Sequence, residues 1–276
     1  MINIIRNFII KKYTHFIVKT LNNESIQKII WKGANIRPES TDFYWHMYPN
    51  DIEVEIYRLA TNDTAKYVMG NMSNISGTID RLHLLKYCLL RCPMEGLFLE
   101  FGVEEGSSIN FISSTIDKRI ERDIQQNRLA VSEDIDSLKS KTIHGFDSFQ
   151  GLPEDWGACK AGAYSTNGHL PKVRSNVKLH VGLFKNTLPD FIKKNPGNVS
   201  FMHIDSDLYS SARTVLFSLH ERITKGTIIV FDEYFNYPGW RNNEFKAFQE
   251  FIVEFNVNYE YIAYCSRGFS VGIVIL

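Results

Sequence analysis

Two stretches decide the fold: FMHIDSDLYSSARTVLFSL at residues 201–219 and GTIIVFDEYF at residues 226–235. In each stretch a short apolar run, typical of a buried strand, ends at a carboxylate. The first run ends at Asp205, and the second ends at Asp232 followed by Glu233. A helix predicted over residues 208–223 separates the two runs. Neighbouring parallel strands joined by a helix end at the same edge of a sheet, so these carboxylates are predicted to share one site.

The same alternation of strands and helices continues on both sides of these stretches. Further strands are predicted at residues 97–101, 143–147 and 177–181, and further helices at residues 187–194 and 243–255. Only Ser266, Arg267 and Gly268 separate the last two apolar runs, residues 259–265 and 269–276, so these runs are predicted to form an antiparallel hairpin. The fold class is therefore α/β, a doubly wound, Rossmann-like, mostly parallel sheet that ends in an antiparallel hairpin.

The N-terminal region differs in its pattern. Residues 1–90 are predicted to form a mainly helical cap or dimerisation region, with Thr78 capping its last helix, and residues 91–276 form the sheet domain. Apolar residues at Ile5, Phe8, Ile9 and Phe16 predict a helix face that packs on the protein itself or on a partner subunit rather than on a membrane, and a homo-oligomer is predicted. The highly charged stretch 117–141 is predicted to be an exposed helical insertion.

Composition narrows the function classes. The chain has 276 residues, with 31 Lys plus Arg balancing 31 Asp plus Glu, and this neutral balance argues against a nucleic-acid partner. No apolar run reaches the roughly 18 residues that span a bilayer. Charged residues interrupt the N-terminus, and no two of the four cysteines form a CxxC pair. These features predict a cytoplasmic protein without a transmembrane segment or secretory signal.

Ligands of open parallel sheets bind outside the carboxyl ends of the strands. That edge is predicted to carry Gly102, Asp147, Gly182, Asp205 and Asp232. The sequence EFGVEEGSS at residues 100–108 predicts a tight glycine turn that opens a helix, where backbone N–H groups face a ligand. Its two glutamates disfavour a pyrophosphate and favour a cationic or zwitterionic ligand. Asp147 either holds the hydroxyls of a ribose or caps a turn.

The candidate metal ligands all lie in the two loops that follow the decisive strands. Oxygen ligands without nearby cysteine favour a hard cation such as Mg²⁺ or Ca²⁺ over zinc. Asp207 could instead cap the helix beyond it, and His203 is more simply explained as a core residue. The aromatic residues after Glu233 either present a surface to an acceptor or pack their own loop. These residues are Asp205, Asp207, Asp232 and Glu233 for the metal, and Tyr234, Phe235, Tyr237 and Trp240 for the aromatic surface.

Five motifs occur in order between residues 95 and 240: EFGVEEGSS, HGFDSFQGLP, VGLFKNTLP, HIDSDLYSS and FDEY. Together they resemble the class I S-adenosylmethionine-dependent methyltransferases, and specifically the macrocin O-methyltransferase family. The resemblance implies a methyltransferase domain over residues 91–276, with S-adenosylmethionine bound at the first two motifs. It also implies Mg²⁺ at Asp205, Asp232 and Glu233, with Asp205 as general base. The implied cofactor-binding residues are Glu100, Gly102, Gly106, Ser107, Ser108, Asp147, Ser148, Gly182 and Asp205.

This chain departs from the family pattern at two positions. It has Glu233 where the family usually has a second aspartate, and Ser206 where the family has glycine between the two aspartates. The function implied is methyl transfer, dependent on S-adenosylmethionine and a divalent metal, to a hydroxyl of a sugar or polyhydroxylated small molecule. The alternatives are a nicotinamide-dependent oxidoreductase, which a GxxxG rather than a GxGxxG turn disfavours, and a non-catalytic methyltransferase-like binding module.

Overall fold

A computed structural model of the chain describes residues 52–75, 77–126 and 141–276. Internal contacts divide the chain into two units, Met1–Asn62 and Asp63–Leu276. The predicted apolar face at Ile5–Phe16 lies outside the described residues, as does most of the charged insertion. The described helices are α1 Ile52–Asn71, α2 Arg81–Leu89, α3 Ser107–Gln125, α4 Phe184–Lys194, α5 Tyr209–Ser218 and α6 Glu244–Glu254, with short 3₁₀ helices at His220–Arg222 and Trp240–Asn242.

One sheet organises the second unit. Its strands are β1 Gly77–Thr78, β2 Leu97–Phe101, β3 Ile143–Asp147, β4 Val177–Val181, β5 Val199–Ile204, β6 Ile228–Phe231, β7 Tyr259–Cys265 and β8 Val271–Ile275. The spatial order is β1-β7-β8-β6-β5-β2-β3-β4, and β8 alone runs antiparallel to its neighbours β6 and β7. The predicted α/β class, the mostly parallel sheet and the closing hairpin are confirmed.

The strand order places a switch point at β2. From β2 the chain builds outward to β3 and β4 on one side, and it then returns to add β5 and β6 on the other side. Loops leaving β2 and β5 therefore diverge at the carboxyl edge, which is where open parallel sheets bind ligands. All five parallel strands from β2 to β6 end at this edge.

The sheet is buried on both faces, which explains why its central strands are almost wholly apolar. Every residue of β5 is buried, and alternate side chains enter different core clusters. Met202 and Ile204 pack with α4, α5 and α6, whereas Phe201 packs with α2 and α3. This alternation follows from the two-residue period of a strand. It leaves the carboxyl ends of the strands as the place where polar side chains can gather.

Two local predictions need correction. Thr78 belongs to β1, and Asp80 caps α2 by accepting a hydrogen bond from the His83 N–H at 2.9 Å. The predicted helix in the charged stretch is present as far as Gln125, as the end of α3. The interpretation of Asp207 as a helix cap is wrong, because no side chain caps α5.

The predicted domain boundary near residue 90 stays a prediction. Two elements that precede it contact the sheet domain, since β1 pairs with β7 and α2 packs against β7 and α3. Across residues 52–75, 77–126 and 141–276, no helix combines the length and apolar character needed to cross a membrane.

Candidate active site

The glycine turn, residues 102–106, joins β2 to α3 and touches the loop after β5. Gly102 has a φ of 96°, and a Cβ at this position would lie 1.7 Å from the backbone oxygen of Asp205. A side chain is therefore excluded by the backbone conformation and by the neighbouring strand end. Gly102 N–H donates to the Phe146 oxygen at 2.9 Å, and Asp205 N–H donates to the Phe101 oxygen at 2.8 Å. These bonds fix the glycine turn directly beside Asp205.

Asp147, at the end of β3, connects the glycine turn to the neighbouring loop. Its Oδ2 accepts the backbone N–H groups of Val103 at 2.7 Å and Glu104 at 2.9 Å, and its Oδ1 accepts that of Phe149 at 2.7 Å. A carboxylate can accept about four hydrogen bonds, so one acceptor position remains for a ligand. Asp147 therefore caps these turns, which is one of the two alternatives that the sequence left open. Its contact with a ribose stays a prediction.

The start of α3 leaves backbone donors available. Gly106 is the N-cap residue in a left-handed conformation, and no side chain caps the helix, which begins with Ser107 and Ser108. The free N–H groups and the helix dipole suit a carboxylate. Next to this end, Glu100 is fully buried, and its Oε2 has no hydrogen-bond partner in the described part of the chain. A ligand that carries both a carboxylate and a cationic group matches this pair of features.

The remaining predicted cofactor residues lie at the same edge. Gly182 follows β4 and donates its N–H to the backbone oxygen of Asp147 at 2.9 Å. The Ser148 hydroxyl accepts the Gln150 N–H at 3.1 Å and donates to the Gly151 oxygen at 3.3 Å. The structure thus brings the predicted residues of β2, β3 and β4 together along one edge, and it shows that several of them hold loops in place.

Two carboxylates from different strands converge on one arginine. Arg81 Nη1 lies 3.1 Å from Asp205 Oδ2 and 2.7 Å from Asp232 Oδ2. The Asp232 side chain is 8% exposed and that of Asp205 is 24% exposed. Arg81 is the first residue of α2, within the region predicted to be a cap. Sequence reasoning missed it because no motif links residue 81 to either loop, and only the fold brings them into contact.

A buried histidine completes this charge cluster. His203 Nδ1 lies 2.9 Å from Glu100 Oε1, and its Nε2 lies 3.7 Å from Asp232 Oδ1. Burial opposes its protonation, but Asp232 and Glu100 outweigh burial and raise the pKa of His203 to about 10. Burial also opposes ionisation of Asp232, but His203 and Arg81 outweigh it and lower the pKa of Asp232 to about 2.

Asp205 and Asp232 therefore have different electrostatic environments. Burial and the charge of Asp232 raise the pKa of Asp205 well above its usual range. The Asp232 Oδ1 atom accepts the Ser270 hydroxyl at 2.9 Å, which further fixes its orientation. When the pKa values of two neighbouring carboxyl groups are shifted in opposite directions, the group with the raised pKa is suited to exchange a proton and the other stays charged.

Glu244 is the second residue that the sequence did not reveal. It is fully buried in the first turn of α6. Its Oε1 accepts the Ser206 N–H at 3.2 Å, and its Oε2 accepts the Glu233 N–H at 3.1 Å. One carboxyl group thus joins the loop after β5 to the loop after β6. Burial raises the pKa of Glu244 well above its usual range.

The other acidic residues of these loops lie close by. Glu233 Oε2 is buried and has no hydrogen-bond partner within the described residues, and burial together with Asp232 raises its pKa. Asp207 adopts a left-handed backbone with a φ of 60°. Burial, Asp232 and Glu104 raise the pKa of Asp207 to about 7.

The aromatic residues after Glu233 pack their loop. Their exposed fractions are 0% for Tyr234, 1% for Phe235, 6% for Tyr237 and 2% for Trp240. The Tyr237 hydroxyl donates to the Glu233 backbone oxygen at 3.1 Å. Of the two alternatives left by the sequence, loop packing is therefore the correct one, and these rings offer no surface to an acceptor.

The donor set fits a hard divalent cation. Ligand atoms of His203, Asp205 and Asp232 lie within 4.8 Å of one another. The raised pKa of His203 favours its protonated form, which cannot coordinate a metal, so the two carboxylates are the better donors. Mg²⁺ commonly binds through one or two carboxylates and keeps several waters. Glu233 does not belong to this group of three, although its loop is shared with Asp232.

Comparisons with known proteins agree with this geometry. A family model described as a methyltransferase domain matches residues 99–234, the span from β2 to the loop after β6. No curated protein matches the chain significantly. Similar solved structures include CalS11, a calicheamicin methyltransferase, at 18% identity, with 86% of this chain and 93% of that chain covered and a TM-score of 0.50. Another is the O-methyltransferase NovP, at 20% identity, with 70% and 78% covered and a TM-score of 0.47.

The strand order, the glycine turn and the domain match together define the class of protein. The chain has the class I, Rossmann-like methyltransferase fold, and residues 99–234 match a methyltransferase domain. A nicotinamide-dependent oxidoreductase is not favoured by any of these findings. The narrower resemblance to the macrocin O-methyltransferase family stays a prediction.

Proposed function

We propose that this methyltransferase transfers the methyl group of S-adenosylmethionine to a hydroxyl of a sugar or another polyhydroxylated small molecule, with Mg²⁺ at the acidic loops. The observation that carries the proposal is the contact between Gly102 and the backbone of Asp205. It sets the cofactor side of the site against a carboxylate that can act as a base. The description of CalS11 as a calicheamicin methyltransferase is consistent with a natural-product acceptor.

The cofactor side would bind S-adenosylmethionine through features already present. The uncapped N–H groups of Ser107 and Ser108 would hold its carboxylate, and the buried Glu100 would lie near its ammonium group. The remaining acceptor position on Asp147 would hold the ribose hydroxyls. When bound, the cofactor supplies a methyl carbon attached to a positively charged sulfur.

Asp205 would act as the general base. The acceptor oxygen would take the methyl group that the cofactor supplies, the cofactor would be left as a neutral thioether, and Asp205 would accept the proton of the acceptor hydroxyl. The environment of Asp205 supports this role, because burial and Asp232 raise its pKa, which is the direction that makes a carboxylate a stronger base. Much of the barrier reduction would come from positioning, since methyl transfer needs an in-line nucleophile.

Asp205 and Asp232 would hold the ion, with Glu233 as a further carboxylate whose buried Oε2 lacks a partner. A divalent cation in such a site lowers the pKa of a bound hydroxyl and orients the acceptor. Asp232 suits this role because its low pKa keeps it ionised.

The acceptor would meet the segment between β3 and β4. Tyr164 is 52% exposed and adopts a left-handed backbone with a φ of 62°. Its hydroxyl lies 3.7 Å from Cys159 Sγ, and Cys159 forms two backbone hydrogen bonds with Trp156. The Trp156 ring lies 5.9 Å from that of Tyr237, which is bonded to the Glu233 backbone. This path connects the acidic loops to an exposed ring, and an aromatic face suits a sugar.

Two measurements test the proposal. Calorimetry should show that S-adenosylhomocysteine binds and that NAD does not; the reverse result would refute the methyltransferase assignment. A panel of sugar-containing acceptors, followed by mass spectrometry, should give a product heavier by one methyl group, and EDTA should suppress its formation. If S-adenosylhomocysteine binds but the wild-type protein and Asp205→Asn are equally inert on every acceptor, a binding module is the better description.

We also propose that the protein works in the cytoplasm as a homo-oligomer. Cys88, Cys92 and Cys159 form no disulfide within the described residues, which is consistent with a reducing compartment. The oligomer proposal rests on the apolar pattern at Ile5–Phe16, and light scattering of the full chain tests it. A monomer at micromolar concentration would refute it.

A further inference from the structure

Arg81 occupies an unfavourable place within its own helix. It is the first residue of α2, where the helix dipole is positive and a cation is destabilising. The N-cap residue Asp80 directs its side chain to the His83 N–H and is engaged there. Local helix chemistry therefore does not explain an arginine at this position. The contacts that compensate for it come from Asp205 and Asp232, on strand ends far away in sequence.

Arg81 also uses the same atoms that a metal would use. Its Nη1 contacts the Oδ2 atoms of both Asp205 and Asp232, whereas Asp232 Oδ1 accepts the Ser270 hydroxyl. A divalent ion held by this pair of carboxylates would need the oxygen atoms that Arg81 Nη1 now contacts. Two cations on the same oxygen atoms would repel each other strongly in a partly buried site.

We infer that Arg81 and a divalent ion are alternative occupants of the Asp205–Asp232 pair, so that Arg81 sets the affinity of the site for its ion. The inference rests on the metal part of the proposed function. While no ion is bound, Arg81 keeps two adjacent carboxylates from repelling each other. When an ion binds, Arg81 must withdraw. Its side chain is 40% exposed, so rotation of the side chain towards solvent is enough and α2 need not move.

This competition has a measurable consequence. A ligand binds more weakly in proportion to the fraction of time that its site is open, so a site open one tenth of the time binds about tenfold more weakly. Replacing Arg81 with an uncharged polar residue of similar length should therefore raise the affinity of the site for its ion by this factor. Keeping a positive charge should preserve much of the competition.

Calorimetric titration of the full chain with Mn²⁺, which replaces Mg²⁺ in many oxygen-ligand sites, tests the inference. Arg81→Gln should bind Mn²⁺ about tenfold more tightly than the wild-type protein, and Arg81→Lys should stay within about threefold of it. Arg241→Gln is the matched control, since Arg241 forms a half-exposed ion pair with Asp63 rather than with Asp205 or Asp232 and should leave Mn²⁺ affinity unchanged. Circular dichroism establishes that each variant is folded.

Thermal unfolding gives an independent readout. Without metal, Arg81→Gln should melt at a lower temperature than the wild-type protein, because its carboxylates lose their cation. Saturating Mn²⁺ should raise its melting temperature by more than it raises that of the wild-type protein. Equal or weaker Mn²⁺ binding by Arg81→Gln would overturn the inference.

The same samples separate this inference from the proposed function. If the wild-type protein binds Mn²⁺ and Arg81→Gln binds no more tightly, only the competition is wrong. If neither binds Mn²⁺ at millimolar concentration but both bind S-adenosylhomocysteine, the competition and the metal role are both wrong, and the methyltransferase assignment stands.

Discussion

The two halves of the candidate site are built in different ways. The cofactor half, around the glycine turn, is held by backbone geometry: Gly102 fits against a strand end, and Asp147 accepts three backbone N–H groups. The acidic half is held by charged side chains from distant parts of the chain, with Arg81 bridging two aspartates and Glu244 joining two loops. A local motif can specify the first kind of site, whereas the second kind depends on the whole fold.

The contrast makes different substitutions informative in each half. In the cofactor half, added volume should be damaging and altered charge should matter less. In the acidic half, changes of charge that leave volume almost constant should have the large effects.

Asp205→Asn should nearly abolish turnover. The substitution keeps the shape of the side chain and removes its ability to accept a proton, and a general base contributes about 10²- to 10⁴-fold to a rate. Steady-state kinetics with a methylated acceptor gives the loss in kcat. Because the cofactor half is held by backbone contacts, the affinity for S-adenosylhomocysteine should change less than about twofold. Asp190→Asn, in an exposed ion pair on α4, is the control. A variant that keeps a tenth of its activity would argue against Asp205 as the base.

Gly102→Ala should destabilise the fold and weaken cofactor binding. The new Cβ would lie 1.7 Å from the Asp205 backbone oxygen, so the turn or the strand end must move. We expect a loss of about 3 kcal/mol in the free energy of unfolding, measured by urea denaturation.

Gly157→Ala provides the control for the turn conformation alone. Gly157 also has a positive φ, but a Cβ there would meet nothing within 4 Å. It should cost only about 1 kcal/mol, the penalty of a left-handed residue. Similar losses at both positions would mean that the contact between Gly102 and Asp205 is unimportant.

The comparison also explains which parts could be predicted from the sequence. The strands at 143–147 and 177–181 and the closing hairpin follow from apolar periodicity and link length, and the structure has them where expected. The carboxylates converge because topology requires it. Arg81 and Glu244 could not be predicted, since Arg81 is 124 and 151 residues from its partners and no pattern marks the contacts of Glu244 with residues 38 and 11 positions away. The aromatic loop was ambiguous because sequence does not distinguish a buried ring from an exposed one.

Glu244 tests whether the acidic half depends on a charge or on hydrogen bonds. Glu244→Ala leaves the Ser206 and Glu233 N–H groups without their acceptor and opens a small cavity, so about 2 kcal/mol of stability should be lost. Glu244→Gln keeps one acceptor oxygen and should cost about 1 kcal/mol. Urea denaturation of both variants gives these values. A Gln variant as unstable as the Ala variant would show that both acceptor oxygens of the carboxyl group are required.

The histidine pair between β3 and β4 predicts a dependence of stability on pH. His144 Nδ1 lies 3.0 Å from His180 Nε2, and burial together with His180 lowers the pKa of His144 from 6.5 to about 4. Between these two values the unfolded chain binds more protons than the folded chain, so stability falls as pH decreases from about 6.5 to 4. This pair should account for about 2 kcal/mol of that loss. Urea denaturation between pH 4 and 7 should show a smaller loss for His144→Gln than for the wild-type protein, whereas His169→Gln, at an exposed position, should not differ from it.

The smallest expected effect concerns Glu233, where the chain departs from the family pattern. Its loop is fixed by Glu244 and Tyr237 through backbone bonds, so substitution of its side chain should leave the fold intact. If its buried Oε2 helps to hold the ion, Glu233→Gln removes one charged donor and should weaken Mn²⁺ binding about three- to tenfold. Glu233→Asp keeps the charge on a shorter side chain and should weaken it less than about threefold, as the family's aspartate at this position implies.

Calorimetry on the two Glu233 variants and on Asp232→Asn sets the scale for this last effect. Asp232 contacts Arg81 and is ionised at neutral pH, so its replacement should cost far more Mn²⁺ affinity than either change at Glu233. Identical affinities for the wild-type protein and Glu233→Gln would mean that Asp205 and Asp232 hold the ion without Glu233. The acidic half would then depend on the carboxylates of Asp205 and Asp232 and on the competing Arg81. The side chain of Glu233 would only fill a buried position.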